Sequence, residues 1–210
     1  MRRLSTIIAI ALFGLASTVG WAQLVPYCQD FEVLDASHPD ALAYDGWLVF
    51  GNVFDANGGY VYGYGVFPAP NSTAVGVPDA FCGIAVGEGG LDQGLQQLSV
   101  FNDYANQDHL NNPTFRIESN VFQEQVIDIA DIGTTWVFEF DFKGINVEGA
   151  STTAAFIKTL QPPSYATTHY ITADTTAAPN TWGTSALSIY IDPSLAGQIL
   201  QFGFVSTASN

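Results

Sequence analysis

The chain of 210 residues sets 20 acidic side chains against five basic ones, a formal net charge of −15. That balance excludes nucleic acid and anionic membrane as partners, because both are polyanions that need clustered Lys and Arg. All the acidity lies after residue 22, where Arg116, Lys143 and Lys158 are the only strong cations. Such a surface reads either as solubility in a salty medium or as affinity for calcium or neutral sugars.

Residues 1–22 read as a secretory signal peptide. Arg2 and Arg3 form the charged start, 7–15 the apolar core, and Gly20, Trp21 and Ala22 the cleavage region, so the mature chain is expected to begin at Gln23. The apolar run is shorter than the roughly 20 residues that span a bilayer. No lipobox precedes Cys28. The expectation is a secreted or extracytoplasmic protein (periplasm or cell surface), without membrane insertion, made of one domain over 23–210. Cys28 and Cys82 are the only cysteines, and in an oxidising compartment a disulfide between them is the default expectation. It would stabilise the fold by very roughly 4 kcal/mol in the chain-entropy account.

Strand-like runs recur at 28–33, 47–53, 60–66, 80–86, 96–101, 115–129 with breaks, 134–143, 152–160, 169–175, 186–191 and 199–205. Gly, Pro and Asn clusters punctuate them. A single helical turn over 37–43, with Ser37 as N-cap, is the only helix expected. The run 134–143 organises the rest: Trp136, Phe138, Phe140 and Phe142 fall on one face and Glu139, Asp141 and Lys143 on the other. Its aromatic face must be buried, which places it in the middle of a sheet packed on another layer. The turn 130–133, with Gly133 supplying a permissive backbone, is expected to return the chain as a hairpin and set Gln123 and Gln125 beside this strand. Leu187, Ile189 and Ile191 mark a second core strand. Together these elements predict an all-β, two-sheet antiparallel β-sandwich of jelly-roll type.

The segment 58–71 carries Tyr60, Tyr62 and Tyr64 at a spacing of two, a stripe on one side of an extended chain. Rings of this kind stack on the C–H faces of sugars, and their hydroxyls add hydrogen bonds; the alternative is that they pack the edge of the sandwich. Glu139 and Asp141 share a face with Cα atoms roughly 6.5–7 Å apart, a spacing compatible with the two carboxylates of glycoside hydrolysis, but with Lys143 next in line they read first as a solvated sheet face. His38, His109 and His169 fit no metal-ligand spacing, and no GxSxG elbow occurs.

A first strand with Asp30-Phe31-Glu32, then Gly46-Trp47, the strand through Gly133, Trp136, Phe138 and Phe140, Thr181-Trp182 before a β run, and Leu200-Gln201-Phe202-Gly203-Phe204 together resemble jelly-roll carbohydrate-binding modules of the galactose-binding-domain-like type. The resemblance implies an exported, non-catalytic carbohydrate-binding domain whose partner is a polysaccharide or surface glycan. It also implies a structural calcium with Glu32 as the metal carboxylate. The family closes on a strand bearing Asp-Asp or Asp-Asn; here a polar stretch follows 199–205, so a sandwich lacking its closing strand is expected. The ligand-binding candidates are Tyr60, Tyr62, Tyr64 and Trp182. A structural or adhesive cell-surface protein without glycan specificity is the alternative, and a small glycoside hydrolase the third reading.

Overall fold

The ten strands among the described residues, with apolar residues at alternate positions, can bury that face only by stacking in layers. The computed structural model describes residues 23–78, 80–87, 89, 93–101, 115–144, 147, 149 and 151–208; the expected signal peptide lies outside them. The elements in chain order are α1 (Ala41–Tyr44), β1 (Leu48–Phe54), β2 (Tyr60–Pro68), β3 (Cys82–Val86), β4 (Gln96–Val100), β5 (Arg116–Val126), β6 (Thr135–Phe142), β7 (Thr152–Gln161), β8 (Ala166–Asp174), β9 (Gly183–Tyr190) and β10 (Ile199–Ala208). The chain is an all-β antiparallel sandwich. One layer is a six-stranded sheet in the order β2-β1-β5-β10-β7-β8, and the other consists of two hairpin-sized sheets, β3-β4 and β6-β9.

Each small sheet covers its own part of the large one. Phe140, Leu187 and Ile189 from β6 and β9 meet Ala155, Ile157 and Leu200 in one core cluster, flanked by Phe138, Phe202 and Phe204. Cys82 and Ile84 of β3 meet Val49 and Val121 in a second, with Leu98 and Val100 of β4 packed against it. A third cluster, Phe122, Phe156 and Val205, lies on the opposite face of the six-stranded sheet, as the alternation of side chains along β5, β7 and β10 requires.

Five expectations are corrected. Residues 28–33 form no strand; they run as irregular chain between the two small sheets. The turn 130–133 does not make a hairpin. β5 pairs with β1 and β10 while β6 pairs with β9, so the chain crosses between layers through a 3-10 turn, Ile129–Asp131, and Gln123 and Gln125 stay in the large sheet. β6 buries its aromatic face as expected, but it sits in a two-stranded sheet rather than at the centre of a large one. Residues 206–208, expected as a polar stretch after the last strand, extend β10: all three pair with β5, and Ser206 and Thr207 also pair with β7. The single helical turn exists but starts at Ala41; Ser37 donates instead to Asp35.

Candidate binding cleft between the half-sheets

Because the second layer is divided, a cleft of about 820 Å³ opens between β4 and β6, floored by β10 and walled by the N-terminal segment. Its floor and sides carry Trp136, Phe142, Phe202 and Phe204, and its polar lining includes Gln93, Gln96 and Gln97. This combination of apolar surface with a few directed polar groups is what small-molecule and sugar sites share.

The N-terminal segment is held by side chains rather than by a strand ladder. Leu24 N–H donates to both oxygens of Asp131, at 3.3 and 3.2 Å, and Val25 exchanges hydrogen bonds with the Gln125 amide. Tyr27 packs on Trp47 and Phe202, each at 6.1 Å between ring centroids, and its hydroxyl donates to Asp45, which also accepts from Gln29 and Trp47 Nε1. Burial, and then the bond to Asp45, pushes the Tyr27 phenol well above its ordinary value, so it stays a donor. Glu32 then turns back to β4, its Oε1 accepting from Leu95 N–H at 2.7 Å and Gln96 N–H at 2.5 Å. The Glu32 side chain thus lines the cleft with one oxygen committed to backbone. Among the described residues no group of three or more His, Cys, Asp or Glu is gathered as a metal cage.

On the opposite wall, Trp182 is half-buried beside Lys143, whose Nζ stands 5.3 Å from the indole centroid. Asp141 is clamped at the rim: Oδ1 accepts from the Thr184 hydroxyl and Oδ2 from Gln93. Glu139 and Asp141 are both exposed, with Val137 on the outer side of β6. Gln97 is the residue that sequence reasoning missed. Both of its side-chain polar atoms, Nε2 and Oε1, are buried without a hydrogen-bond partner, a costly state for an amide whose two ends can serve as donor and acceptor. No periodicity announces such a residue, because its neighbours Gln96 and Ser99 are equally polar.

The tyrosine stripe does not survive pairing. A register shift in the β1–β2 ladder between Val53 and Phe54 matches Val53 with Tyr62 but Phe54 with Tyr60. Residues opposite one another share a face, so this bulge sends Tyr60 to the face opposite Tyr62 and Tyr64. Tyr60 packs edge-on to Phe54 at 6.0 Å, while Tyr64 leans on Phe81 at 5.9 Å, seated over Gly51, where a Cβ would lie 2.4 Å from its ring. None of the three tyrosines lines the cleft.

The expected disulfide is also absent. Cys82 points from β3 into the core beside Ala41, Leu42 and Trp47, with its thiol donating to Pro70 O at 3.3 Å, whereas Cys28 is exposed on the irregular segment. Burial pushes the Cys82 thiol far above its ordinary value, which disfavours the reactive thiolate. We expect an aromatic disulfide reagent at pH 8 to titrate one thiol in the folded protein, Cys28, and two in denaturant. A folded protein in which neither thiol reacts, with a mass two hydrogens lower, would restore the disulfide.

No family model matches the chain, and no curated protein does. Among solved structures it is similar to the enzymatically active domain of tailspike protein 4 of bacteriophage CBA120, at 12% identity and a TM-score of 0.39, covering 83% of this chain and 20% of that one. The chain therefore spans about a fifth of that protein chain.

Proposed function

We propose that the protein is an exported carbohydrate-binding domain that acts without catalysis, and that the cleft between the half-sheets is its glycan site. The observation that carries this reading is the meeting, in one cleft, of aromatic walls with an unpartnered buried amide at Gln97. Each sugar hydroxyl both donates and accepts, so a single ring can satisfy both ends of that amide while its C–H face stacks on an indole or phenyl ring. Trp182 and Lys143 supply a partly open end at which a longer polysaccharide can leave the cleft. The acidic surface suits a neutral glycan.

The test is a glycan array probed with the protein, followed by calorimetry on the best polysaccharide. Gln97→Leu is expected to lower affinity about tenfold while raising stability by about 1 kcal/mol, since it removes two buried polar atoms that have no partner. Trp182→Ala is expected to weaken binding with the fold intact. Binding unchanged in both variants, or release of reducing ends from the bound polysaccharide, would overturn the reading. A structural calcium near Glu32 belongs to the same proposal, and its check is a rise in melting temperature on adding calcium that Glu32→Gln abolishes.

A further inference from the structure

The second layer of the sandwich is broken where the cleft lies, and the break leaves a strand edge open. Among the described residues β6 has one neighbour, β9, and its residues 136–142 line the cleft one after another. A strand that meets a cavity with consecutive residues presents its backbone edge. In contrast β10, which meets it mainly with Leu200, Phe202, Phe204 and Ser206, presents a face.

Hydrogen bonds identify the backbone groups on that edge. Ile191 N–H donates to Thr134 O at 2.9 Å, and the β6–β9 register runs on from this pair. Bonded and non-bonded pairs alternate along an antiparallel ladder, so Trp136, Phe138, Phe140 and Phe142 bond to β9. Val137, Glu139 and Asp141 therefore aim their N–H and C=O groups into the cleft, where none of the described residues bonds to them. The outer edge of β3 is treated differently. Ser72 N–H donates to Cys82 O at 3.0 Å, Ile84 N–H to Asn71 Oδ1 at 2.8 Å, and the Thr73 hydroxyl to Ile84 O at 2.7 Å. One edge is covered by its own chain, whereas the other is left as a template for a further strand.

We propose that β6 takes up, as an antiparallel neighbour, an extended segment of another protein in which apolar residues alternate with Lys or Arg. The open groups of β6 recur every second residue, about 6.8 Å apart, which is the repeat of an extended peptide itself. Residues paired across two strands share a face. Guest residues opposite Phe138 and Phe140 turn toward the floor of Phe202 and Phe204, where an apolar side chain is required. Those opposite Glu139 and Asp141, both exposed, turn outward and gain from positive charge. Asp30 and Glu32 add to the negative lining, in which Lys143 is the one cation among the described residues. A second copy of this chain does not fit. After residue 22 its strong cations are Arg116, Lys143 and Lys158, and no stretch alternates such residues with apolar ones. This occupant goes beyond the glycan reading, because it is held by the β6 edge and not by Gln97 and Trp182.

The probe is a capped, fluorescent octapeptide of alternating valine and lysine, compared with an isomer in which four valines precede four lysines. Anisotropy with the folded protein, at about 0.15 M salt to screen diffuse attraction, is expected to show the alternating peptide bound at least tenfold tighter. In the antiparallel pairing its lysine N–H groups face β6 and its valine N–H groups face away, so N-methylation of the lysines should abolish binding while N-methylation of the valines is tolerated. Glu139→Lys, at an exposed position, is expected to weaken binding about fivefold. In hydrogen exchange followed by NMR, the peptide should slow the amides of Val137, Glu139 and Asp141, leaving those of Phe138 and Phe140, already bonded to β9, as they were. No binding, equal affinity for the two isomers, or binding that leaves the three edge amides unslowed would overturn the proposal, the last two by showing charge attraction alone. Peptide and glycan are assayed separately. A protein that binds glycan through Gln97 and ignores the peptide refutes this occupant and spares the glycan reading, and the converse result does the reverse.

Discussion

Gly203→Ala is expected to destabilise the protein by about 3 kcal/mol, lowering its melting temperature by about 6–12 °C for a domain of this size. Gly203 lies in the middle of β10, in register with Phe122 on one side and Phe156 on the other. The two rings, 6.5 Å apart between centroids, close over the space that a side chain would need. A Cβ at this position would lie 2.2 Å from Val121 O and 2.7 Å from Phe122 Cα, both backbone atoms that cannot swing aside. The strands would have to separate, and the cost would fall on the most densely paired part of the large sheet. Gly183→Ala is the control, because the added methyl there would meet only the Phe142 ring at 3.8 Å, an ordinary contact. Urea unfolding of both variants decides the matter: equal stabilities would show that the β5–β10–β7 ladder yields to a methyl group.

The period of two made most of this architecture legible. Trp136, Phe138, Phe140 and Phe142 do turn inward, Phe138 and Phe140 meeting Phe204 at 5.5 and 5.6 Å, and Leu187 and Ile189 join them from β9. What alternation cannot reveal is an interruption of register. The tyrosines of β2 keep their spacing of two in sequence, yet a bulge in the ladder with β1 divides them between faces, and that bulge is a property of the pair of strands. Turn chemistry is similarly local: the glycine and aspartates of 128–133 would serve a hairpin or a crossing between layers equally well. The deciding feature is tertiary, the burial of Asp131 beneath the N-terminal segment.

The candidate sites follow the same division. Trp182 and Glu32, singled out from family resemblance, do line the cleft: Trp182 stands where the chain enters β9, and Glu32 lies in the irregular segment that walls the cleft. Gln97 carries no such mark. Two half-sheets over one wide sheet also explain why the cleft opens between the layers, away from the tyrosines of β2. The gap that a continuous second sheet would have filled is left to a segment with no ladder of its own.

That dependence gives the second large effect. Asp131→Ala is expected to cost about 2–3 kcal/mol and to open the cleft, because it leaves two backbone donors at a buried position, Leu24 N–H and Asp128 N–H, without their acceptor, each costing about 1 kcal/mol or more. Asp131 is 1% exposed; it accepts from Leu24 N–H with both oxygens and from Asp128 N–H at 2.8 Å, joining the crossover turn to the start of the N-terminal segment. Leu24, buried in the core cluster beneath β6, depends on that anchor, and so does the path that brings Tyr27 onto Trp47 and Phe202. Asp131→Asn keeps one acceptor oxygen but presents N–H where acceptors are needed, so it should fall between the wild type and Asp131→Ala. The comparator is Asp192→Ala at another 3-10 turn, Pro193–Leu195, where the Asp192 carboxylate accepts from the Ser194 hydroxyl and N–H at the surface. Those two bonds hold the Asp192 carboxyl below its ordinary range, so its contribution is present above the ordinary carboxylate pKa and disappears as pH falls through the lowered value. Asp192→Ala should therefore flatten the acid limb of the stability profile and leave the cleft alone. Hydrogen exchange separates the two variants: Asp131→Ala should release protection along residues 24–32 well before global unfolding, with glycan affinity lost in parallel, whereas Asp192→Ala should not. Retained protection of Leu24 and Val25 amides in Asp131→Ala would show that the segment is held by its apolar contacts, and that the cleft does not rely on this carboxylate.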